Sequence, residues 1–433
     1  MPDSVTPDRA TTTLRRKRRR YLLCSVAIVT VAMLVLVQCV RKPDAPLPTF
    51  VTTTEREFAQ LSFQSEHKRE PNREELLFWL GNRYIERGRP TNAVGCFAEV
   101  ATAHPEFGRR ARFQQGQLLL GLHRAFEAEQ QFRELLALEE ADPQLESRFR
   151  TSAQQQLRHL LEVELRFEDR HELLRHVIER GEANGFEIIA GLFPSHLKWN
   201  VPTGFTLLEE FLEADRSRPE LRVAMGRFFT VQGRLVEALQ MVEGVVQERP
   251  DDLRAAAALI ACLREADATV EWNQRVGQLP ATSVDEPWLL LLERGTHALR
   301  HGQPEQAITA YRSVVQKDRT NIQAWHGLLQ ATRAIGDDSQ YSRATTMVTV
   351  LGKIQNQISR SMQQQADQNS FLELADLCAK ADLDREGAIL SAFALQLDSG
   401  HERGRASLAR FQSRPSTDDK TSPVENWNAR PNQ

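Results

Sequence analysis

The sequence predicts an all-α chain: a solenoid of antiparallel helix pairs, preceded by one transmembrane helix. Three observations predict it. A spacing of small and bulky residues recurs in phase at Gly81, Gly116, Gly226 and Gly295. Leu, Ala, Glu, Gln and Arg dominate, all good helix formers, and β-branched alternation is scarce. Near the N-terminus, a basic run leads into the uncharged stretch Tyr21 to Val40.

That stretch is rich in Leu, Val, Ile and Ala. At about 1.5 Å per residue it is long enough for the ~30 Å hydrocarbon core of a bilayer. Arg15-Arg16-Lys17-Arg18-Arg19-Arg20 precede it, and Arg41-Lys42 end it. The larger positive charge on the N-terminal side predicts a cytoplasmic N-terminus, with the body on the extracytoplasmic or periplasmic side of a single-pass membrane protein. A cleaved or lipidated leader is the competing reading. Against it, the apolar run exceeds the usual ~7–15 residues of a signal peptide, and Val37-Gln38-Cys39 has no small residue before the cysteine.

The charge is unevenly spread. Residues 1–42 carry nine Lys/Arg and two Asp, hence +7; with an overall net charge of −3 the remainder stands at −10. An acidic body argues against nucleic acid as the partner. The five cysteines (Cys24, Cys39, Cys96, Cys262, Cys378) form no CxxC and no ligand cluster, so buried, inert thiols are expected.

Residues 1–20 are thus read as a basic cytoplasmic segment, 21–40 as the transmembrane helix and 41–73 as a spacer. A short helix is expected in the spacer near Glu55–Phe63. The repeat begins at about Glu74. Leu76, Leu77, Leu80, Tyr84 and Ile85 fall on one helical stripe. Gly81 is followed by Ala93 at +12, Phe97 at +16 and Pro105 at +24. A glycine inside a helix costs ~1 kcal/mol against alanine. It makes sense where a second helix crosses, and Ala93 and Phe97 supply the other side of that crossing. The pattern returns as Gly116, Ala128 and Phe132; as Gly226, Ala238, Val242 and Pro250; and as Gly295, Ala307 and Tyr311. Turn glycines recur at +7, at Gly88, Gly233 and Gly302.

Gly81 and Gly116 are 35 residues apart, and Gly226 and Gly295 are 69 apart, so a degenerate unit is expected in 253–287. Its Ala255-Ala256-Ala257-Ala258-Leu259-Ile260 run suits a first helix. A sixth candidate is 322–355, with Trp325, Leu328 and a turn at Gly336; a weaker seventh is 369–402. These residues give two blocks, 74–142 and 219–355, and C-terminal helical repeats over 356–412.

A 34-residue period with Leu77 at position 4, Leu80-Gly81 at 7–8, Tyr84 at 11, Ala93 at 20, Phe97 at 24 and Pro105 at 32 resembles the tetratricopeptide repeat (TPR). The resemblance implies a right-handed superhelical solenoid whose first helices line a concave, protein-binding face. It points to Phe78 and Asn82 at positions 5 and 9 of the first unit, and to Thr296 and Trp325 in later units, as candidate protein-binding residues. Some members hold a terminal carboxylate with Lys at position 5; Phe78 stands there instead, and Gln114 occupies position 6 of the next unit.

Between the blocks, 143–218 breaks the period and reads as an irregular helical insert. Two long helices are expected at Ser152–Leu165 and His171–Arg180, then a proline-bracketed loop from Pro194 to Pro202 that contains Trp199, a further candidate binding residue. A binding loop and a packed joint are both open. Residues 413–433, with Pro415-Ser416-Thr417 and Ser422-Pro423, are polar and read as a disordered tail.

No constellation of catalytic residues emerges. His171-Glu172-Leu173-Leu174-Arg175-His176 places its histidines at i and i+5, about 140° apart on a helical wheel, where zinc needs i and i+4. No cofactor and no metal is expected. The leading expectation is a membrane-anchored scaffold or assembly factor that binds other proteins at the cell envelope and has no chemistry of its own. Three alternatives stay open: an accessory subunit of a membrane enzyme or cytochrome assembly system, an organelle receptor with cytosolic repeats, and an enzyme whose site is not recognised.

Overall fold

A computed structural model describes residues 53–141, 148–194, 201–280, 286–364 and 367–413. The basic segment, the apolar stretch 21–40, Trp199 and most of the expected tail lie outside the described residues. Among the described residues there are twenty helices and no strand, and no helix is long and apolar enough to cross a membrane.

In chain order the helices are α1 (Thr53–His67), α2 (Arg73–Glu86), α3 (Pro90–Glu99), α4 (Gly108–Gly121), α5 (Ala125–Ala141), α6 (Arg148–Val163), α7 (Phe167–Glu179), α8 (Gly185–Leu192), α9 (Val201–Ala214) and α10 (Pro219–Val231). They continue as α11 (Leu235–Glu248), α12 (Leu253–Glu265), α13 (Thr269–Gly277), α14 (Trp288–Arg300), α15 (Pro304–Lys317), α16 (Ile322–Ile335), α17 (Asp338–Gln364), α18 (Gln368–Ala379), α19 (Asp384–Leu397) and α20 (Glu402–Gln412). The chain divides into two compact units, 1–157 and 158–433.

In the first unit, α2 pairs with α3 and α4 with α5. The side chain of Asn72 caps α2 by accepting from the Glu75 N–H at 2.7 Å, and Pro90 opens α3, where its missing N–H costs nothing. The pairing depends on the expected crossing points. A Cβ placed on Gly81 would stand 2.6 Å from a Phe97 ring carbon, and one on Gly116 2.6 Å from Phe132. Ala93, Phe97, Ala128 and Phe132 are wholly buried. On the expected α2 stripe, Leu77, Leu80 and Tyr84 are buried, Leu76 is partly so, and Ile85 faces out. One contributor has no sequence signature. Arg112 is buried and ties the link between pairs, donating to the Val100 carbonyl at 3.0 Å and the Thr102 hydroxyl at 2.8 Å.

The second unit repeats the device. Gly226 lies against Val242, and Gly295 lies 2.6 Å (as a virtual Cβ) from Tyr311. Tyr311 also fills the space over Gly327 of α16, so one ring serves two glycines. Ala238, Val242 and Ala307 are wholly buried and Tyr311 nearly so. The expected degenerate unit is α12 with the short α13; Ala255, Ala257 and Ala258 are buried. Pairs α16–α17 and α18–α19 occupy the sixth and seventh positions. α17 runs on to Gln364, past the expected boundary at 355.

The turns between paired helices share one backbone geometry. Gly88, Gly233, Gly302 and Gly336 have φ between +66° and +75°. His123 and Asp267 take the same place with φ of 58° and 54°, a left-handed conformation that costs a non-glycine residue about 1 kcal/mol or more.

The described residues of the 143–218 interval are mostly helical, with α6 and α7 each beginning four residues before the expected start. The 185–193 stretch, unassigned from sequence, forms α8. Asn184 caps it in a reciprocal box: the Glu187 N–H donates to Asn184 at 3.0 Å, and the Asn184 N–H to Glu187 at 2.9 Å.

Candidate functional site

On the first helices of the first unit, Asn82 and Gln114 bring α2 and α4 together. The Gln114 amide lies 3.5 Å from the Asn82 carboxamide oxygen, and Asn82 donates to the Phe78 carbonyl at 2.9 Å. Both amides are partly buried, Gln117 is exposed one turn on, and Ile85 is 39 % exposed. Carboxamides can donate and accept at once, so this row suits hydrogen bonding to a partner's main chain. Phe78 does not join it. It is 5 % exposed, packed between Phe97 and Phe107 (ring centroids 5.4 and 5.3 Å), with the Arg110 guanidinium 4.7 Å above it. Phe78 is thus a core aromatic.

Of the later candidates, Thr296 is partly buried and Trp325 is buried. Thr296 donates to the Leu292 carbonyl at 2.9 Å and stands 3.3 Å from the Tyr311 hydroxyl. Burial raises the Tyr311 phenol above its ordinary range, so it stays protonated. Trp325 is 7 % exposed and donates its indole N–H to the Arg319 carbonyl at 2.8 Å. Trp199 lies outside the described residues.

The corresponding face of the second unit is occupied by its own chain. The α6–α7 corner, Glu164 to Asp169, lies against α10, α12 and the start of α14. Arg227 on α10 donates to the Leu165 carbonyl at 2.7 Å and lies over the Phe167 ring at 5.0 Å. Arg254 at the start of α12 pairs with Asp169 at 2.7 Å. The Trp288 N–H at the start of α14 donates to Glu168 at 2.8 Å. Further along, Thr320 donates to the Leu192 carbonyl at 3.0 Å, Arg385 pairs with Glu179 at 3.0 Å, and Phe371 covers Gly185. α7 and α8 share one core with α14 to α20 through Val177, Ile178, Ile188, Ile189 and Phe193. Of the two readings of the insert, a packed element fits α7 and α8.

Arg227, Glu168 and Asp169 are partly buried and Arg254 is exposed. Burial pushes the Arg227 guanidinium down to about 10 and lifts the Glu168 carboxyl above its usual range. Burial also acts on Asp169, but Arg166 and Arg254 outweigh it and hold that carboxyl low. His171 packs beside Trp288 (6.0 Å between rings) and burial lowers it to about 4, so it is neutral at pH 7. His176 is exposed and its Nδ1 is 3.0 Å from the Glu172 carbonyl. Among the described residues no group of three or more His, Cys, Asp or Glu could hold a metal ion. Cys96, Cys262 and Cys378 are buried, and none of the three is in a disulfide.

Sequence spacing missed Arg227, Arg254, Glu168 and Asp169. Their contacts join residues 62 to 120 apart. The one available signal was the break in period over 143–218.

No family model matches the chain, and no curated protein does. The chain is similar to several solved structures. One is the P58(IPK) TPR domain, with 14 % identity over 78 % of this chain and 97 % of that one, at a TM-score of 0.26. Another is the human IFIT1 dimer with m7Gppp-AAAA, with 13 % identity over 88 % and 92 % at 0.34. A third is yeast Tom70, with 11 % identity over 78 % and 87 % at 0.27. At TM-scores this low none of the three defines the global arrangement of this chain. The helix pairs themselves, with glycine under an aromatic or valine at each crossing, make the fold an all-helical repeat of TPR-like hairpins.

Proposed function

We propose that this chain is a membrane-anchored scaffold or assembly factor that binds other proteins through the first helices of its N-terminal unit, with the body on the extracytoplasmic side of the envelope. One observation carries the binding reading. In the second unit, Glu164 to Asp169 are held on the first helices by the Arg227–Leu165, Arg254–Asp169 and Trp288–Glu168 contacts, while the first unit carries Asn82, Gln114 and Gln117 beside Ile85, with Gln114 reaching Asn82. Repeat pairs that pack only on their neighbours give an extended surface suited to extended partners. The apolar stretch 21–40 and the basic run before it support the anchor and its orientation.

A photo-crosslinking residue at Gln117 of the full-length, membrane-inserted chain tests the binding face. The expected result is a discrete crosslinked partner, lost when Asn82→Ala and Gln114→Ala are combined. Crosslinks that persist in that double variant, or that form only from Arg254, would overturn it. Protease treatment of sealed vesicles tests the topology: a body digested from the cytosolic side sinks the orientation.

A further inference from the structure

A cleft of about 250 Å³ opens on the second unit between α15, α16 and α17. Its wall is largely apolar, with Val315 from α15, Trp325 and Leu328 from α16, and Ala344 from α17. The donors on that wall are already spent within the chain. The Trp325 indole N–H goes to the Arg319 carbonyl at 2.8 Å, and the Thr332 hydroxyl goes to the Leu328 carbonyl at 2.7 Å. The wall therefore offers an occupant carbon surface and no hydrogen. The cleft is many times larger than one water needs, and water gains no hydrogen bond from those four side chains.

The rim of the cleft is cationic. Arg312 and Arg343 line it, and no Asp or Glu does. Both arginines are exposed, and neither forms an ion pair among the described residues. Arg312 donates to the side-chain oxygen of Gln340, a neutral acceptor. Asp337 reaches the rim only through Gln340, accepting from its main-chain N–H at 3.0 Å and its side-chain amide at 2.5 Å. Two positive charges thus stand beside an apolar wall with no carboxylate in the cleft to offset them. Gln316, also exposed on the rim, can donate and accept. An occupant that uses both features brings one apolar group for the wall and negative charge for the rim. A simple anion leaves the wall wet, and a neutral apolar group leaves the arginines unpaired.

We propose that this cleft docks an acidic segment of a partner protein. One bulky apolar side chain of that segment enters against Trp325 and Leu328, and Asp or Glu carboxylates beside it pair with Arg312 and Arg343. The planar guanidinium fork matches a carboxylate, and an arginine rim around an apolar centre is the composition of a protein-binding patch. The two arginines stand on different helices, α15 and α17, so a segment lying across the cleft can meet both. The site lies within the second unit and rests neither on the first-unit binding face nor on the membrane anchor.

The test is fluorescence anisotropy with the full chain in detergent at pH 7.5. The probe is a short fluorescein-labelled peptide with one phenylalanine between glutamate pairs. It is expected to bind with a micromolar Kd that weakens as salt is added. Replacing its phenylalanine with alanine should weaken binding by about tenfold or more. Replacing its glutamates with glutamines, or combining Arg312→Gln with Arg343→Gln in the protein, should each weaken it by about five- to tenfold. Both arginines are exposed, so the double variant should keep its Tm within about 2 °C of the parent. With benzoylphenylalanine in place of phenylalanine, the crosslink should map to α15, α16 or α17. No binding, equal binding of the alanine or glutamine peptide, undiminished binding to the double variant, or a crosslink elsewhere overturns the proposal. Octanoate binding at least as tightly as the peptide overturns it in favour of a small-molecule site.

Discussion

Arg227 reaches across 62 residues of sequence to the main-chain carbonyl of Leu165, at 2.7 Å, with the same guanidinium over Phe167. This contact fixes the α6–α7 corner on α10. Its partner is a carbonyl, so no ordinary side-chain change at Leu165 removes the acceptor. Arg227→Met keeps much of the apolar stem and leaves that carbonyl unsatisfied. It should destabilise the second unit by about 1–3 kcal/mol. Urea unfolding reads this as a lower midpoint at unchanged slope; a changed slope would mean that the variant alters the unfolded or native ensemble instead.

Gly81 shows packing overriding propensity. Alanine is the better helix former by ~1 kcal/mol. Yet a Cβ there meets two Phe97 ring carbons at 2.6 and 2.8 Å, and Phe97 is wholly buried. Overpacking of this kind costs about 1–3 kcal/mol. Gly81→Ala should therefore be net destabilising by up to about 2 kcal/mol, and Phe97→Leu should recover part of the loss. A double-mutant cycle with additive effects would show that the two residues do not share the crossing.

Asp318 and His171 give opposite pH signatures at one cavity. The Asp318 carboxyl titrates at about 6 in the fold against an ordinary 3.8. Folding therefore carries a penalty above pH 6 that is relieved as pH falls toward 3.8. Asp318→Asn should stabilise the protein at pH 7.5 by up to about 3 kcal/mol, and by progressively less toward pH 4. His171 is lowered to about 4 from 6.5. Its neutral form is free of penalty above pH 6.5, and stability falls as pH drops from 6.5 to 4. His171→Gln should flatten that loss. Tm measured from pH 8 to pH 4 for both variants separates the contributions; parallel curves for variant and parent would refute the assignment.

Asn184 holds the start of α8 through its reciprocal bonds with Glu187. Asn184→Ala should cost about 1 kcal/mol. Asn184→Asp, which keeps the accepting oxygen, should cost clearly less. Hydrogen exchange at Ile188 and Ile189 checks it: these amides should exchange faster in the alanine variant, and unchanged protection would show that packing alone holds the helix.

The two first-unit helix pairs, their crossing glycines and the turn at Gly88 were legible because each contact is local. Gly81 and Phe97 lie sixteen residues apart, so one hairpin carries both halves of the signal and repetition confirms it. His123 and Asp267 hide the same turn because composition there does not advertise a left-handed backbone. α19 and α20 repeat the device with Gly387 under Phe411, but 24 residues separate that pair, and the sixteen-residue template passes over it. Position 5 of the repeat left groove and core both open for Phe78, and it lies in the core, since position in a repeat does not reveal what the next loop, through Phe107, lays over it.

Sequence by itself determined the helical class, the hairpin unit and its phase, because periodicity and short-range packing are written into neighbouring residues. Only the tertiary structure decided what lies on the second unit's first-helix face. The Arg227–Leu165, Arg254–Asp169 and Trp288–Glu168 contacts join segments whose spacing follows no period. Their energy depends on burial and alignment that exist only once the repeats have stacked.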